Sequence, residues 1–202
     1  LKHSDGNHKF IGANWDISED VALSDSLKAA KALAEKRNAE LEQANARVKY
    51  QSSHDPLTGL HNRPYIVALL EENLHNKSKL VSILSINIDG FKKINGALGR
   101  EAGDAVLIHV AKLISNAVGP ECKIARTTGD EFVVSLELVD VDRLSAIACK
   151  VVGACAIPYA YQGHQCHFTV SVGIAIAHDG EKDANQFMAK AEAALDVAKR
   201  NG

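Results

Sequence analysis

Several things are scarce in this 202-residue chain. Aromatic residues make up only 5% of it, too few for a platform on which successive bases could stack. The net charge of −2 lacks the basic excess that marks nucleic-acid binding. No apolar run reaches the length that spans a bilayer, and no secretory leader opens the chain. The four cysteines, Cys122, Cys149, Cys155 and Cys166, show no C-x-x-C spacing. Their neighbours are mostly apolar, the pattern of buried, reduced thiols in a cytoplasmic protein. "GHQCHF" brings His164, Cys166 and His167 together, but on a strand His167 points away from the other two, which argues against a metal site. The first residue is Leu1, not methionine, so a longer parent protein is expected.

What is present is ordinary globular composition, 46% hydrophobic and 24% charged, enough for one domain with an appendage. Residues 1–20 read as the end of a hairpin with its turn at Asp5-Gly6. From residue 21 to 51 there is neither proline nor glycine, and helix-forming residues dominate. Leu23, Leu27, Ala30, Ala34, Arg37, Leu41, Ala44 and Val48 recur in alternating steps of four and three. That is a heptad seam, which predicts a parallel helix pair and a homodimer through residues 21–51; a single helix packed on its own domain is the alternative.

"SSHDPLTGLHNRPY" breaks the helix with Pro56 and Gly59. Beyond it, helix and strand patterns alternate. A helix is predicted over Pro64–Leu74, a buried strand over 79–89, a short helix from Phe91 and a longer one over Glu101–Val118. A hairpin follows over 122–127 and 131–138, with a helix over Asp140–Ala154. Residues 156–177 read as one hairpin turning at Gln162-Gly163, and Asp183–Arg200 as a last helix. The predicted class is α/β (α+β), a central mixed sheet flanked by helices, with a long N-terminal helix.

Two adjacent acids, Asp130 and Glu131, stand at the tip of the hairpin "RTTGDEF". With "HDPLTGLHNR" at 54–63, "INIDGFKKINGALGREAGD" at 86–104 and "ALDVAKRNG" at the end, this stretch resembles the GGDEF domain of bacterial diguanylate cyclases. The resemblance covers residues 54–202 and implies that family's palm fold, related to nucleotidyl cyclases. Residues 1–20, with "GANWDISED" leading into the helix, resemble the last strands of a PAS domain, leaving 21–53 as a helical linker.

The resemblance implies a bacterial cyclic-di-GMP signalling module that binds GTP and works as a dimer. Its reaction joins two GTP into cyclic di-GMP, the ribose 3′-hydroxyl of each attacking the other's α-phosphate as pyrophosphate leaves. Mg²⁺ or Mn²⁺ is the implied cofactor. Asp130 and Glu131 then stand as the catalytic and metal-binding acids, joined at the metal by Asn87 and the Ile88 carbonyl. Asn95 and Asp104 match the pair that reads the guanine edge. The Gly90-Phe91-Lys92 turn matches the phosphate cradle, and Lys199 the lysine that neutralises it. Taken singly, Asp104 also reads as a helix cap and Lys199 as a solvated helix end.

The chain departs from the family pattern at the chemical centre. Asn87 replaces an aspartate and so removes a full charge, predicting a metal affinity lower by roughly 10–100-fold. Thr128 replaces the first signature glycine, where a β-branched residue resists unusual φ values. The product-inhibition motif R-x-x-D is absent from "GPEC" at 119–122. The missing motif predicts no feedback through that site, and Asn87 with Thr128 predicts a degenerate domain with weak or no cyclase activity that regulates a neighbour; a working cyclase is the alternative. For such modules the usual neighbour is a cyclic-di-GMP phosphodiesterase (EAL) domain.

Overall fold

The computed structural model of the chain describes residues 18–76, 80–137, 139–178 and 180–201. Of residues 1–20, where the Asp5-Gly6 hairpin and PAS-like strands are expected, 1–17 lie outside the described residues and 18–20 are helical. The chain divides into two units, Leu1–Arg47 and Val48–Gly202. Without proline or glycine to stop it, Ser18–Ser53 forms one helix, α1, starting at Ser18 rather than at residue 21. The seam residues Leu27 and Leu41 are 69% and 60% exposed on it, so this apolar stripe faces solvent in the single chain.

The second unit is built on a five-stranded mixed sheet. Its strands are β1 (His61–Asn62), β2 (Ser82–Ile88), β3 (Lys123–Thr128), β4 (Glu131–Leu136) and β7 (Val170–Ile176), in the order β1-β3-β4-β2-β7. Only the β1–β3 pair is parallel. The helices are α2 (Arg63–His75), α3 (Phe91–Leu98), α4 (Arg100–Val118), α5 (Val141–Cys155) and α6 (Ala184–Asn201). Local signals set their starts: Asn62 caps α2 by accepting from the Tyr65 N–H, and Asp140 caps α5 by accepting from the Arg143 N–H.

Residues 156–177 differ from the single hairpin expected of them. β5 (Tyr159–Tyr161) and β6 (His164–Cys166) form a separate two-stranded sheet, while β7 joins the main sheet beside β2. The turn does fall at Gln162-Gly163, where both φ values are positive as a two-residue hairpin turn of the primed kind requires. "VSVGIAI" is apolar enough to be buried between helices, which is why it leaves the hairpin for the central sheet.

Strand alternation sorts the core into two layers. Leu84, Ile86 and Ile88 of β2, with Phe132 and Val134 of β4, pack against Val106, Val110 and Ile114 of α4 and Leu144 of α5. Ile83 and Val133 face the other way, onto Ile66 and Leu70 of α2 and Phe187, Met188 and Ala191 of α6. Asn87 and Glu131, in step with Ile83 and Val133, therefore emerge on the α2/α6 side. Helix α6 lies very close to the sheet at Gly173, where a Cβ would strike the Ala191 carbonyl oxygen and the Leu195 backbone. Glycine is needed there for close approach, not for a turn.

Where α1 ends, four rings stack in a column. Tyr50 and His54 lie 3.9 Å apart and nearly parallel, His54 and His61 4.6 Å apart, and His61 and Tyr65 3.6 Å apart. The Ser53 carbonyl lies 3.4 Å from His61 Nδ1. Burial, then the charges of His54 and Lys123, hold the His61 pKa below the ordinary histidine value against that carbonyl.

Two outcomes are expected. Gly173→Ala forces α6 off the sheet and lowers stability by about 1–3 kcal/mol, measured by urea unfolding. A His61 pKa depressed in the folded state means that its contribution is complete above the unfolded value, near 6.5, and is lost as pH falls below it. Unfolding of His61→Phe, followed from pH 7.5 to 5, is expected to show a shallower acid loss than the parent chain.

Candidate functional site

The acidic tip is formed by a tight hairpin. Thr128 pairs with Glu131 across Gly129 and Asp130, after a register shift between Arg126 and Thr128. Gly129 carries the positive φ, 50°, that the turn demands. Thr128 lies within strand β3, where extended backbone suits a β-branched residue. The conformational objection to Thr128 raised from the sequence therefore does not hold, because the residue that needs glycine's freedom is the one after it.

Register puts Asn87 of β2 directly opposite Glu131 of β4, and the Ile88 N–H donates to the Asp130 carbonyl at 3.3 Å. Asn87, Ile88, Asp130 and Glu131 thus meet at two neighbouring strand ends. Asn87 is buried, at 8% exposure, while Asp130 and Glu131 are half-buried. Burial, followed by the charges of Glu192 and Asp130, pushes the Glu131 pKa above the ordinary glutamate value, against Lys199 and Arg63. An acid that already resists ionisation is one that a cation would help to charge.

Asp89 follows closely on the same strand but is committed elsewhere. Its two oxygens accept from the hydroxyls of Thr169, at 2.6 Å, and Ser171, at 2.8 Å. Both lie on the β7 side of β2, whereas Asp130 and Glu131 lie on the β4 side. Asp89 therefore does not replace the carboxylate missing at Asn87.

Past Asp89 the chain turns through Gly90, at φ 68°, into α3. The backbone N–H groups of Gly90, Phe91 and Lys92 stand at a helix N-terminus, a geometry suited to phosphate. Helix α3 is followed at once by α4, and Asn95 lies against Gly103, one residue before Asp104. Asp104 is exposed and inside α4, whose N-cap is Gly99, so it caps nothing. Lys199 stands exposed in the last turn of α6 and is felt at Glu131. The structure thus gathers the metal-side residues at one end of the sheet, continues into the glycine turn, and sets the Asn95/Asp104 pair beyond it.

The donor set is all oxygen: two carboxylates, one amide and a backbone carbonyl. That suits a hard divalent ion completing its shell with phosphate oxygens, as Mg²⁺ or Mn²⁺ does, and not a soft metal. A cleft of about 530 Å³ between α2, α4, α5 and the far ends of β3 and β4 contains Gly119–Cys122. It lies near Leu136, whose β2 partner is Ser82, at the opposite end of these strands from Asn87 and Glu131. The oxygen cluster, not that cleft, is the candidate site.

One fork of bonds holds the tip. Arg126 Nε donates to the Gly129 carbonyl at 2.8 Å, and its Nη1 donates to both oxygens of Asp55 at 3.1 Å. Asp55 Oδ1 also accepts from the Thr58 N–H and hydroxyl. Burial opposes ionisation of Asp55, but the bonds from Thr58 and Arg126 outweigh it and keep its pKa below the ordinary aspartate value.

A central mixed sheet with helices on both faces and an acidic hairpin beside a strand-end amide defines a nucleotidyl-cyclase-like α/β domain. The family described as "Diguanylate cyclase, GGDEF domain" matches residues 52–202, and the chain belongs to that family. It is 33% identical over 165 residues to the bifunctional diguanylate cyclase/cyclic di-GMP phosphodiesterase MucR of Pseudomonas aeruginosa, covering 80% of this chain and 24% of MucR. A sensory box/GGDEF family protein of Caulobacter crescentus aligns with TM-score 0.66 and 31% identity, over 74% of this chain and 99% of that one. The coiled coil and GGDEF domain of DgcB from the same organism, solved in complex with c-di-GMP, shares the fold with TM-score 0.80. Its identity is 24%, over 88% of this chain and 96% of that one. The chain spans 21% and 24% of the length of two curated relatives it matches.

Sequence reasoning had not assigned Arg126, Asp55, Gly103, Glu192 or Arg63 to the site. Gly103 carried a weak signal, since a glycine inside a helical pattern costs stability, but Gly96 and Gly153 carry the same signal with nothing packed on them. The Asp55–Arg126 pair joins segments far apart in the chain and had none. Both side chains are mostly shielded, at 15% and 17% exposure. Arg126→Ala is expected to lower stability by about 2 kcal/mol, between the values for exposed and buried pairs. Arg126→Lys should restore little of it, because an ammonium cannot bond Gly129 and Asp55 as a planar fork does. Urea unfolding of the three proteins measures both.

Proposed function

We propose that this GGDEF domain binds GTP with a divalent cation, turns it over weakly or not at all, and passes its occupancy to a neighbouring domain. One observation carries the reading: Asn87 brings an uncharged amide to the position facing Glu131, and Asp89 is held away by Thr169 and Ser171. Asp130, Glu131, Asn87 and the Ile88 carbonyl would hold Mg²⁺ or Mn²⁺. When bound, that ion neutralises phosphate charge and favours ionisation of an attacking ribose hydroxyl. The protein's own part is positioning. The Gly90–Lys92 turn receives the terminal phosphates with Lys199, and the amide of Asn95 and the carboxylate of Asp104 meet the base.

Cyclisation in the family needs two domains, each presenting one GTP. The exposed seam of α1 supports pairing of two copies through that helix, and DgcB is a relative in fold described with a coiled coil. The likeness to MucR, named as bifunctional, supports a phosphodiesterase domain as the listener in the full-length protein. Binding that favours one arrangement of this domain would bias its neighbour by the same free energy.

The second reading is a working cyclase. It is favoured by the undistorted signature hairpin, in which Thr128 is extended and Gly129 alone carries a positive φ.

Incubation with GTP and Mg²⁺ or Mn²⁺, resolved by chromatography, separates the two readings. Little or no cyclic di-GMP, together with saturable GTP binding by calorimetry, supports the first; brisk product formation overturns it. Asn87→Asp is expected to tighten the metal by roughly 10–100-fold and to raise metal-dependent turnover. Unchanged turnover in that variant would place the defect elsewhere.

A further inference from the structure

Glycine is less favourable than alanine inside a helix, so an interior glycine with no positive φ calls for a physical reason. Gly103 is buried in the second turn of α4 and is not among the positive-φ glycines. A Cβ built on it would overlap Asn95 Oδ1, and would lie 2.9 Å from Asn95 Cγ and 3.2 Å from Phe91 Cζ. Two other helical glycines behave differently: a Cβ on Gly96 or Gly153 would meet nothing within 4 Å.

We propose that Gly103 is a positioning residue that sets base specificity, its missing side chain forming the seat of the Asn95 amide. This rests on the reading of Asn95 and Asp104 as the groups that meet guanine. Asp104 follows Gly103 directly, so one turn of α4 carries both the seat for the amide and the carboxylate beside it. Guanine offers an acceptor at O6 and donors at N1 and N2, whereas adenine has a donor at position 6, an acceptor at N1 and no amino group at C2. An amide and a carboxylate select guanine only if their spacing is fixed, and the contact of Asn95 with bare α4 backbone fixes it. Phe91 rests on the same glycine, so the surface that seats the amide also supports the turn assigned to phosphate.

A methyl group at Gly103 displaces the Asn95 amide. It leaves α4 intact, because alanine is the better helix former. The larger effect falls on the base, because the methyl overlaps the Asn95 amide outright and only crowds Phe91, so a loss concentrated in guanine preference separates it from general damage to the site.

The test uses the α,β-methylene analogues of GTP and ATP, which cannot be cyclised, with Mg²⁺ and calorimetric titration of the whole chain. The parent protein is expected to prefer the guanine analogue. Gly103→Ala should lose about tenfold in affinity for it, with a smaller loss for the adenine analogue. Its selectivity should fall to that of Asn95→Ala, and the double variant should be no worse than Asn95→Ala alone, since both changes remove one group. If Gly103→Ala fails to fold while the double variant folds, the collision with Asn95 is demonstrated directly. Retention of guanine preference in Gly103→Ala, or additive losses in the double variant, overturns the assignment of Gly103 and leaves the GTP-binding reading standing. A parent chain that binds neither analogue, or both alike, overturns the two together.

Discussion

The Arg126 guanidinium joins the signature hairpin to the turn that follows α1. One nitrogen holds the Gly129 carbonyl and another spans the Asp55 carboxylate, which Thr58 holds in turn. A two-residue tip between strands would otherwise be free to tilt, because its own ladder ends at Thr128 and Glu131. With Arg126 in place, Gly129 is fixed, and Asp130 and Glu131 leave the hairpin in a set direction beside Asn87. The two carboxylates of the tip depend on this fork, while Asn87 and Ile88 are placed by the pairing of β2 with β4 and β7.

Two glycines extend that order across the domain through what they lack. Gly173 allows α6 to lie on the sheet, which brings Lys199 and Glu192 to the face where Asn87 and Glu131 emerge. Gly103 does the same for Asn95 on α4. The α6 face then carries Asp130, Glu131 and Glu192 against Arg63 and Lys199, and Glu131 already sits above its ordinary pKa. A further carboxylate at position 87 would add to that repulsion in the metal-free protein. An amide there relieves it, at the expense of the anionic charge that draws a divalent ion. On the proposed reading, function and stability thus pull in opposite directions at this one residue.

The periodic elements were legible from the sequence: the break-free run behind α1, the helices over Pro64–Leu74 and Glu101–Val118, and the hairpin at the acids. Asn87, Ile88, Asp130 and Glu131 were named together from the family resemblance, and the register sets them at neighbouring strand ends. Residues 156–177 were misread because a short apolar strand carries no label saying which neighbour it pairs with. Only the tertiary match of "VSVGIAI" to β2 and α6 assigns it to the main sheet. Thr128 was judged by its place in a signature, while its backbone depended on which residue of the turn took the positive φ. Asp55 and Arg126 stand 71 positions apart, and no local pattern links them.

The three parts of the site depend on different elements, and this makes selective loss physically reasonable. The end proposed for the base is set by α3 against α4, the turn proposed for phosphate by Gly90 at the end of β2, and the end proposed for the metal by the register of β2 with β4. Exchanging a carboxylate for an amide at residue 87 alters charge at the third part without moving a strand, because Asn87 keeps its place opposite Glu131. Binding energy gathered at the base and the phosphates is then, on the proposed reading, retained, while the interaction that strengthens as charge develops in the transition state is reduced. On the proposed reading, a domain altered in this way still changes state with nucleotide concentration but consumes little of it. Those are the properties required of the sensing half of a linked pair.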